Sequence, residues 1–349
     1  MSEASTTPPA EIQPTLAQLR DREPMTDAQA ESIFEQLLTG NLDEPQIGAL
    51  LALLQTRPPN AAELTGAARV MRRHVTRVPT PEGKTIVDTC GTGGAPKAFN
   101  ISTAAAIIAA AAGRDRNIAV AKHGNRSRTG RGSAEVLAAL GVNVDANADV
   151  QAACLAEAGV CFCFAIHHHP AMRHAAGPRR SLGFPTIFNA LGPLTNPAGA
   201  RRQLLGVYDR ALVEPMAQAL AALGTEHAIV AHGQDGLDEL TTTAPNIIAT
   251  VRDGAVTTDT IDTTQLGLAR SSFDALRVSS VEESAGAVRD VLAGTPGPRR
   301  DICVLNAAAA ILVGGGCDTL DEGIKAAQDT IDSGDARATL ESLASASAG

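Results

Sequence analysis

The sequence predicts an α/β protein: a small all-helical domain joined to a larger α/β domain with a mainly parallel central sheet. Three observations lead there. Apolar residues recur at helical spacing as far as residue 75. The stretch 76–84, TRVPTPEGK, then brings two prolines and a glycine, the mark of a linker. From residue 84 onward, short apolar strands alternate with helical stretches, which builds parallel strands with helices outside. A length of 349 residues accommodates two domains of ordinary size.

Each element follows in order. Residues 1–12 are polar and proline-bearing, and are expected to form a disordered tail. The helical domain is expected over 13–78. Thr26 with Gln29 makes a capping box ahead of the stripe Ile33, Phe34, Leu37 and Leu38, which Gly40 stops. Ile47, Leu50, Leu51 and Leu54 make a second stripe, and Asn60 with Glu63 caps a third helix. A returning helical segment near 146–176 is expected to join this domain. The α/β domain takes 79–145 and 177–346. Its strands are KTIVDTC (84–90), NIAVAK (117–122), CFCFAI (161–166), QLLGVYD (203–209) and HAIVAH (227–232). Helices are expected over 102–113 and near 132–140, and the stretch 246–260 reads as an antiparallel hairpin at the sheet edge. The chain ends in helices: one from Ser280 to Gly294, a buried one at LNAAAAIL (305–312), then 318–332 and 335–346.

Composition excludes several functions. Lys plus Arg number 29 and Asp plus Glu 38, a net charge of −9; aromatics are 2%, with no Trp and one Tyr, Tyr208. Phosphate attraction and base stacking are both under-supplied, so no nucleic-acid partner is expected. The core must be aliphatic and alanine-rich. Cys90, Cys154, Cys161, Cys163, Cys303 and Cys317 show no CxxC spacing and read as small buried hydrophobes in a reducing compartment. The N-terminus shows no signal peptide. The longest apolar run, 104–112, falls far short of the ~20 residues of a membrane span. A cytoplasmic protein with no membrane partner is expected.

Four segments could carry chemistry. Gly91-Thr92-Gly93-Gly94 follows a strand, and Ser102 and Thr103 then open a helix whose first N–H groups point back at the loop. Backbone donors at a positive helix end make an anion site, although a tight turn needs glycines too. The loop is neither a GxGxxG fingerprint nor a Walker loop. The second segment starts at Lys122-His123-Gly124-Asn125-Arg126 and runs through Arg128, Arg131 and Ser133 to Glu135. It reads as a solvated basic face or as a second anion loop; two such loops suit a ligand with two phosphate groups. Asp238-Glu239 suits Mg²⁺, or an acidic turn in water. Finally, His167, His168 and His169 invite a zinc reading. In an extended chain His168 points away from its neighbours, and no Cys or carboxylate stands at zinc spacing, so no metal is assigned there. Arg179 and Arg180 suit either a carboxylate ligand or surface pairing.

The ordered set GTGG…FNIST (91–103), KHGNR…GSAEVLAALG (122–141), HPAM…RR.LG (169–183), TIFNALGPLTNP (186–197), GQDGLDELT (233–241) and LNAAAAIL (305–312) resembles the anthranilate phosphoribosyltransferases of tryptophan biosynthesis. The resemblance spans about residues 14–345. It implies a fold like that of the pyrimidine nucleoside phosphorylases, with the site in an interdomain cleft and a homodimer through the helical domain. The reaction it implies is transfer of the 5-phosphoribosyl group of phosphoribosyl pyrophosphate to the amino group of anthranilate, with Mg²⁺ and release of pyrophosphate.

By match, Gly91, Gly94, Asn100, Ile101, Ser102, Thr103, Lys122, His123, Gly124, Asn125, Arg126 and Ser133 would bind the donor. Ser102, Asp238 and Glu239 would serve the metal. Gly91, Asn125, His169, Pro170 and Arg179 would hold anthranilate, with His123 lining its channel. No residue stands out as a general base. Two departures from the family pattern matter: Ala95 stands where an Asp usually follows GTGG, and both loops are about one residue shorter. Lys97, Arg128 and Arg131 are expected to take over part of the phosphate grip. The alternatives are a relative with another aromatic or pyrimidine acceptor, and a non-enzymatic nucleic-acid binder, which the acidic charge disfavours.

Overall fold

The computed structural model describes residues 10–94, 98–126 and 130–349. Four helices open the chain: α1 (Ile12–Arg20), α2 (Asp27–Leu38), α3 (Glu44–Leu54) and α4 (Ala61–Arg73). The expected capping boxes at Thr26 and Asn60 are present, and Asp43 with Gln46 makes a third at α3. Gly66 lets α4 lie on α2, because a Cβ there would collide with the Asp27 carbonyl. Glu63 is wholly buried and bound by Arg57 at 2.6 Å. The expected tail boundary at residue 12 does not hold. Ala10 donates to Ser32 Oγ and accepts from Gln36 Nε2, both at 2.8 Å, so residues 10–12 belong to the domain. Residues 1–9 lie outside the described residues.

Among the described residues, seven strands form one sheet: β1 (Thr85–Gly91), β2 (Ile118–Gly124), β3 (Val160–Phe164), β4 (Arg202–Gly206), β5 (His227–Gly233), β6 (Asn246–Arg252) and β7 (Ala255–Ile261). Their order is β3-β2-β1-β4-β5-β6-β7, parallel through β5, with β6 and β7 the expected antiparallel hairpin at the edge. The order reverses direction beside β1, so the crevice at the carboxyl ends of β1, β2 and β4 is where such a sheet places ligands.

Strand alternation divides the core in two. Leu204, Ile229 and Ile248 face the alanine-rich helices α5 (Ile101–Gly113) and α13 (Pro298–Gly314). Leu205, Val230 and Ala249 face α11 (Val213–Ala222), and that core runs on into the helical domain. The rings of Phe34 on α2 and Phe188 on α10 (Ile187–Leu191) meet edge to face at 5.7 Å across the boundary.

Further expectations change, among them the strand expected over 203–209, which ends at Gly206. The strand expected over 161–166 ends at Phe164, and Ala165–His168 is a helical turn, so His168 is not in extended chain. Of the expected returning segment, α7 (Ala148–Glu157) packs on β3 and on α15 (Asp335–Ser347) instead. The helix that packs on α3 is α9 (Arg173–Leu182), which runs past residue 176. All six cysteines are free, five of them buried, as a small-hydrophobe role requires. No described helix is long and apolar enough to cross a membrane.

Candidate active site

The glycine turn after β1 is pinned to β4. Thr92 N–H donates to Gly206 O (2.9 Å), and Tyr208 N–H donates to Thr92 Oγ1 (3.1 Å). Gly93 and Gly94 sit at φ 67° and 99°, a region that glycine enters without strain. Gly93 N–H donates to Asp238 Oδ2 at 2.8 Å, and a Cβ on Gly91 would stand 2.7 Å from that same oxygen. The turn and the acidic pair are therefore in direct contact, although 145 residues separate them in the chain.

The start of α5 completes this end. Asn100 does not cap the helix; its Oδ1 accepts from Ser284 Oγ (2.9 Å) and its N–H donates to the same hydroxyl (3.0 Å). Ile101 and Thr103 are each 1% exposed, and the buried Thr103 hydroxyl has no hydrogen-bond partner among the described residues. Ser102 N–H donates to Glu239 Oε1 at 3.3 Å. Lys122, buried at the end of β2, donates its Nζ to Thr89 O (2.7 Å) and Ser102 Oγ (3.0 Å). Burial pushes the Lys122 pKa down, against the pull of Glu239 and Asp88. Burial and neighbouring Asp238 push the Glu239 carboxyl up, opposed by Lys122. Two carboxylates forced together beside a serine hydroxyl are a donor set that a hard divalent cation suits. No group of three or more His, Cys, Asp or Glu converges among the described residues, so a ligand's oxygens would have to complete the coordination.

The other end of the cleft is built around β2 and α9. His123 and His169 lie ring to ring at 5.2 Å, with their Nε2 atoms 3.3 Å apart. Burial lowers the His169 pKa to about 4 and that of His123 well below the usual imidazole range, so both are neutral at physiological pH. The Arg179 guanidinium stacks over Phe188 at 5.2 Å. Burial lowers its pKa, and among the described residues it makes no ion pair. Pro170 is exposed beside His169.

The described ends of the second loop meet. A Cβ on Gly124 would collide with Ser133 Oγ, which donates to Asn125 O at 3.4 Å. Asn125 Oδ1 accepts from Arg126 N–H (2.8 Å), and Arg126 stacks on Phe164 at 5.6 Å. Arg131 is tied to the carbonyl of Val278. Ala95, Lys97 and Arg128 lie outside the described residues. The three histidines diverge: His167 meets Asp145 (2.8 Å), His168 Nδ1 meets Thr76 O (2.8 Å), and His169 meets His123.

Sequence reasoning missed Asp88, Asn196, Gly206, Tyr208 and Ser284. Asp88 carried a signal, a carboxylate inside an apolar strand; the others carried none that spacing could read.

A crevice at the switch of a parallel sheet, beside a helical bundle and lined with main-chain N–H donors, suits a phosphorylated ligand; the class of protein that carries this pair of domains is the two-domain glycosyl transferases. Residues 13–75 match the model of the glycosyl transferase family helical bundle domain, and residues 83–337 that of the family's a/b domain. Among curated relatives, the anthranilate phosphoribosyltransferase of Rubrobacter xylanophilus is 47% identical over 91% of this chain and 92% of its own. That of Methylobacterium nodulans is 46% identical over 96% and 98%. The crystal structure of anthranilate phosphoribosyltransferase from Thermus thermophilus superposes with a TM-score of 0.88 at 36% identity, over 96% of this chain and 99% of that one. The enzyme from Saccharomyces cerevisiae in complex with PRPP and Mg shares the fold, with a TM-score of 0.84 at 24% identity, over 97% and 98%. The chain thus belongs to the anthranilate phosphoribosyltransferase family.

Proposed function

We propose that this protein transfers the 5-phosphoribosyl group of phosphoribosyl pyrophosphate to the amino group of anthranilate, releasing pyrophosphate. The observation that carries the acceptor is Arg179: a half-buried cation with no acidic partner among the described residues, stacked on an aromatic ring. An aromatic carboxylate supplies the anion such a site lacks.

The donor end follows from the main-chain N–H groups of Gly93 and Ser102 and the Lys122 ammonium. They face the charge that grows on the departing pyrophosphate, where preorganised donors act most strongly. In this structure Asp238 and Glu239 satisfy the two N–H groups, so donor phosphate exchanges for carboxylate there. Asp238, Glu239 and the Ser102 hydroxyl would hold Mg²⁺, which supplies charge neutralisation to the leaving group when bound. Arg179 orients the acceptor so that its amine meets C1′ as the bond to pyrophosphate breaks. The neutral His123–His169 pair lines the channel without placing a cation beside that amine. No nucleophile of the protein is required. The family resemblance also supports a homodimer through the helical domain, and the free thiols suit a reducing cytoplasm.

The test is the decay of anthranilate fluorescence with phosphoribosyl pyrophosphate and Mg²⁺, alongside pyrophosphate release and a metal-free control. Metal-dependent decay with matching release is the expected result; release without decay would point to another acceptor.

A further inference from the structure

The seam between β1 and β2 opens before either strand ends. Their register runs Thr85↔Ile118, Ile86↔Ala119, Val87↔Val120 and stops. On its outer side β1 stays paired with β4 as far as Gly91↔Gly206, and β2 stays paired with β3 as far as Gly124↔Phe164. Thr85 N–H donates to Asn117 O (2.7 Å), so the odd-numbered residues of both strands turn their backbone groups to this seam. The next two bonds of the ladder would therefore run from Thr89 N–H to Ala121 O and from His123 N–H to Thr89 O.

Side chains stand in their place. Ala121 O accepts from Asn196 Nδ2 (2.8 Å), His123 N–H donates to Asp88 Oδ1 (3.0 Å), and Thr89 O accepts from Lys122 Nζ (2.7 Å). All three substitutes are buried, Asp88 completely. Two of them are braced. Asp88 Oδ2 accepts from the Cys90 thiol (3.4 Å), and Asn196 Oδ1 accepts from Ala198 N–H (2.9 Å). A closed parallel seam, with strands ~4.8 Å apart, has no room for an ammonium between them.

We propose that Asp88 and Asn196 are positioning residues for phosphoribosyl transfer, holding the two central strands apart as a fork. The inference rests on the function proposed above. The fork lets Lys122 reach Ser102 at the donor end and sets His123 toward His169 at the acceptor end. One wedge thus places a group for each substrate. Without Asp88 and Asn196 the His123 N–H and the Ala121 carbonyl lose these partners, His123 N–H is left open to exchange, and Lys122 and His123 move together.

The experiment compares wild type with Asn196→Ala, Asp88→Ala and Asp88→Asn, the last of which keeps an acceptor for His123 N–H. Steady-state kinetics is expected to show the KM values for donor and for anthranilate both rising roughly tenfold or more in the two alanine variants, because small misplacements are costly. Asp88→Asn recovers most of the loss. Amide hydrogen exchange at His123 is expected to change in Asp88→Ala and to return in Asp88→Asn. If both KM values stay at the wild-type level while thermal stability falls, Asp88 and Asn196 are scaffold only and the proposal is overturned. Unchanged exchange at His123 in Asp88→Ala overturns it as well. Should Asp88→Ala not fold, Asn196→Ala decides between the same outcomes. Wild type that fails to turn over indicts the assigned reaction instead, and the exchange measurement still reads the fork.

Discussion

Gly206 and Asp238 are in backbone contact: the end of β4 is covered by the Asp238 carbonyl so closely that a Cβ at 206 would collide with it. Position 206 therefore sets the height at which the acidic pair crosses the crevice. In Gly206→Ala the segment carrying Asp238 and Glu239 must lift, and both leave Gly93 and Ser102. A displacement of about 1 Å in such a constellation costs roughly 100-fold in rate. We expect kcat/KM to fall by about that factor, with a raised Mg²⁺ requirement in a metal titration of turnover.

Arg179→Ala removes the cation without touching the donor end. Losing a charged hydrogen-bond partner costs about 1.5–3 kcal/mol, or roughly 10–100-fold in binding. The KM for anthranilate should rise by that factor while the KM for the donor holds. Arg179→Lys should fall between, because a lysine cannot bind a carboxylate through two parallel hydrogen bonds. An equal rise in both KM values would remove Arg179 from the acceptor site.

The buried His169 gives the fold a defined acid sensitivity. Its pKa is about 4 in the folded chain, against about 6.5 when unfolded. Between those values the unfolded chain binds more protons, so stability rises with pH through the window. The contribution is complete above about pH 6.5 and is lost as pH falls toward 4, a change of about 3 kcal/mol. His169→Gln should flatten the dependence of Tm on pH across that window. A slope equal to that of wild type would show that His169 does not titrate there.

Tyr208 is the only tyrosine in a chain without tryptophan, and its ring lies 3.4 Å from where a Cβ on Gly94 would stand. Tyrosine emission, excited where phenylalanine does not absorb, therefore reports on the wall of the glycine turn. Titration with pyrophosphate and Mg²⁺ should change that emission saturably. A flat titration in protein that turns over would place the pyrophosphate away from Gly93 and Gly94.

Much of this protein was local and therefore legible. Helix stripes, caps at Thr26 and Asn60, the hairpin over 246–260 and the strand-ending loops arise from contacts between near neighbours in the chain. The ordered motifs pointed to the family, and Arg179, Lys122, Asp238 and Glu239 were named from them. The exchange of strand for helix at residue 165 was harder, because an apolar run ending in histidines suits either conformation.

The tertiary structure alone decided how those pieces meet. That Glu239 faces the start of α5, that Asp238 holds Gly93, and that α9 rather than α7 returns to the helical domain depend on residues far apart in sequence. The fork shows the reason most plainly. A ladder ends where backbone groups find better partners, and the side chains of Asp88, Lys122 and Asn196 become partners only once three separate segments have packed into one core.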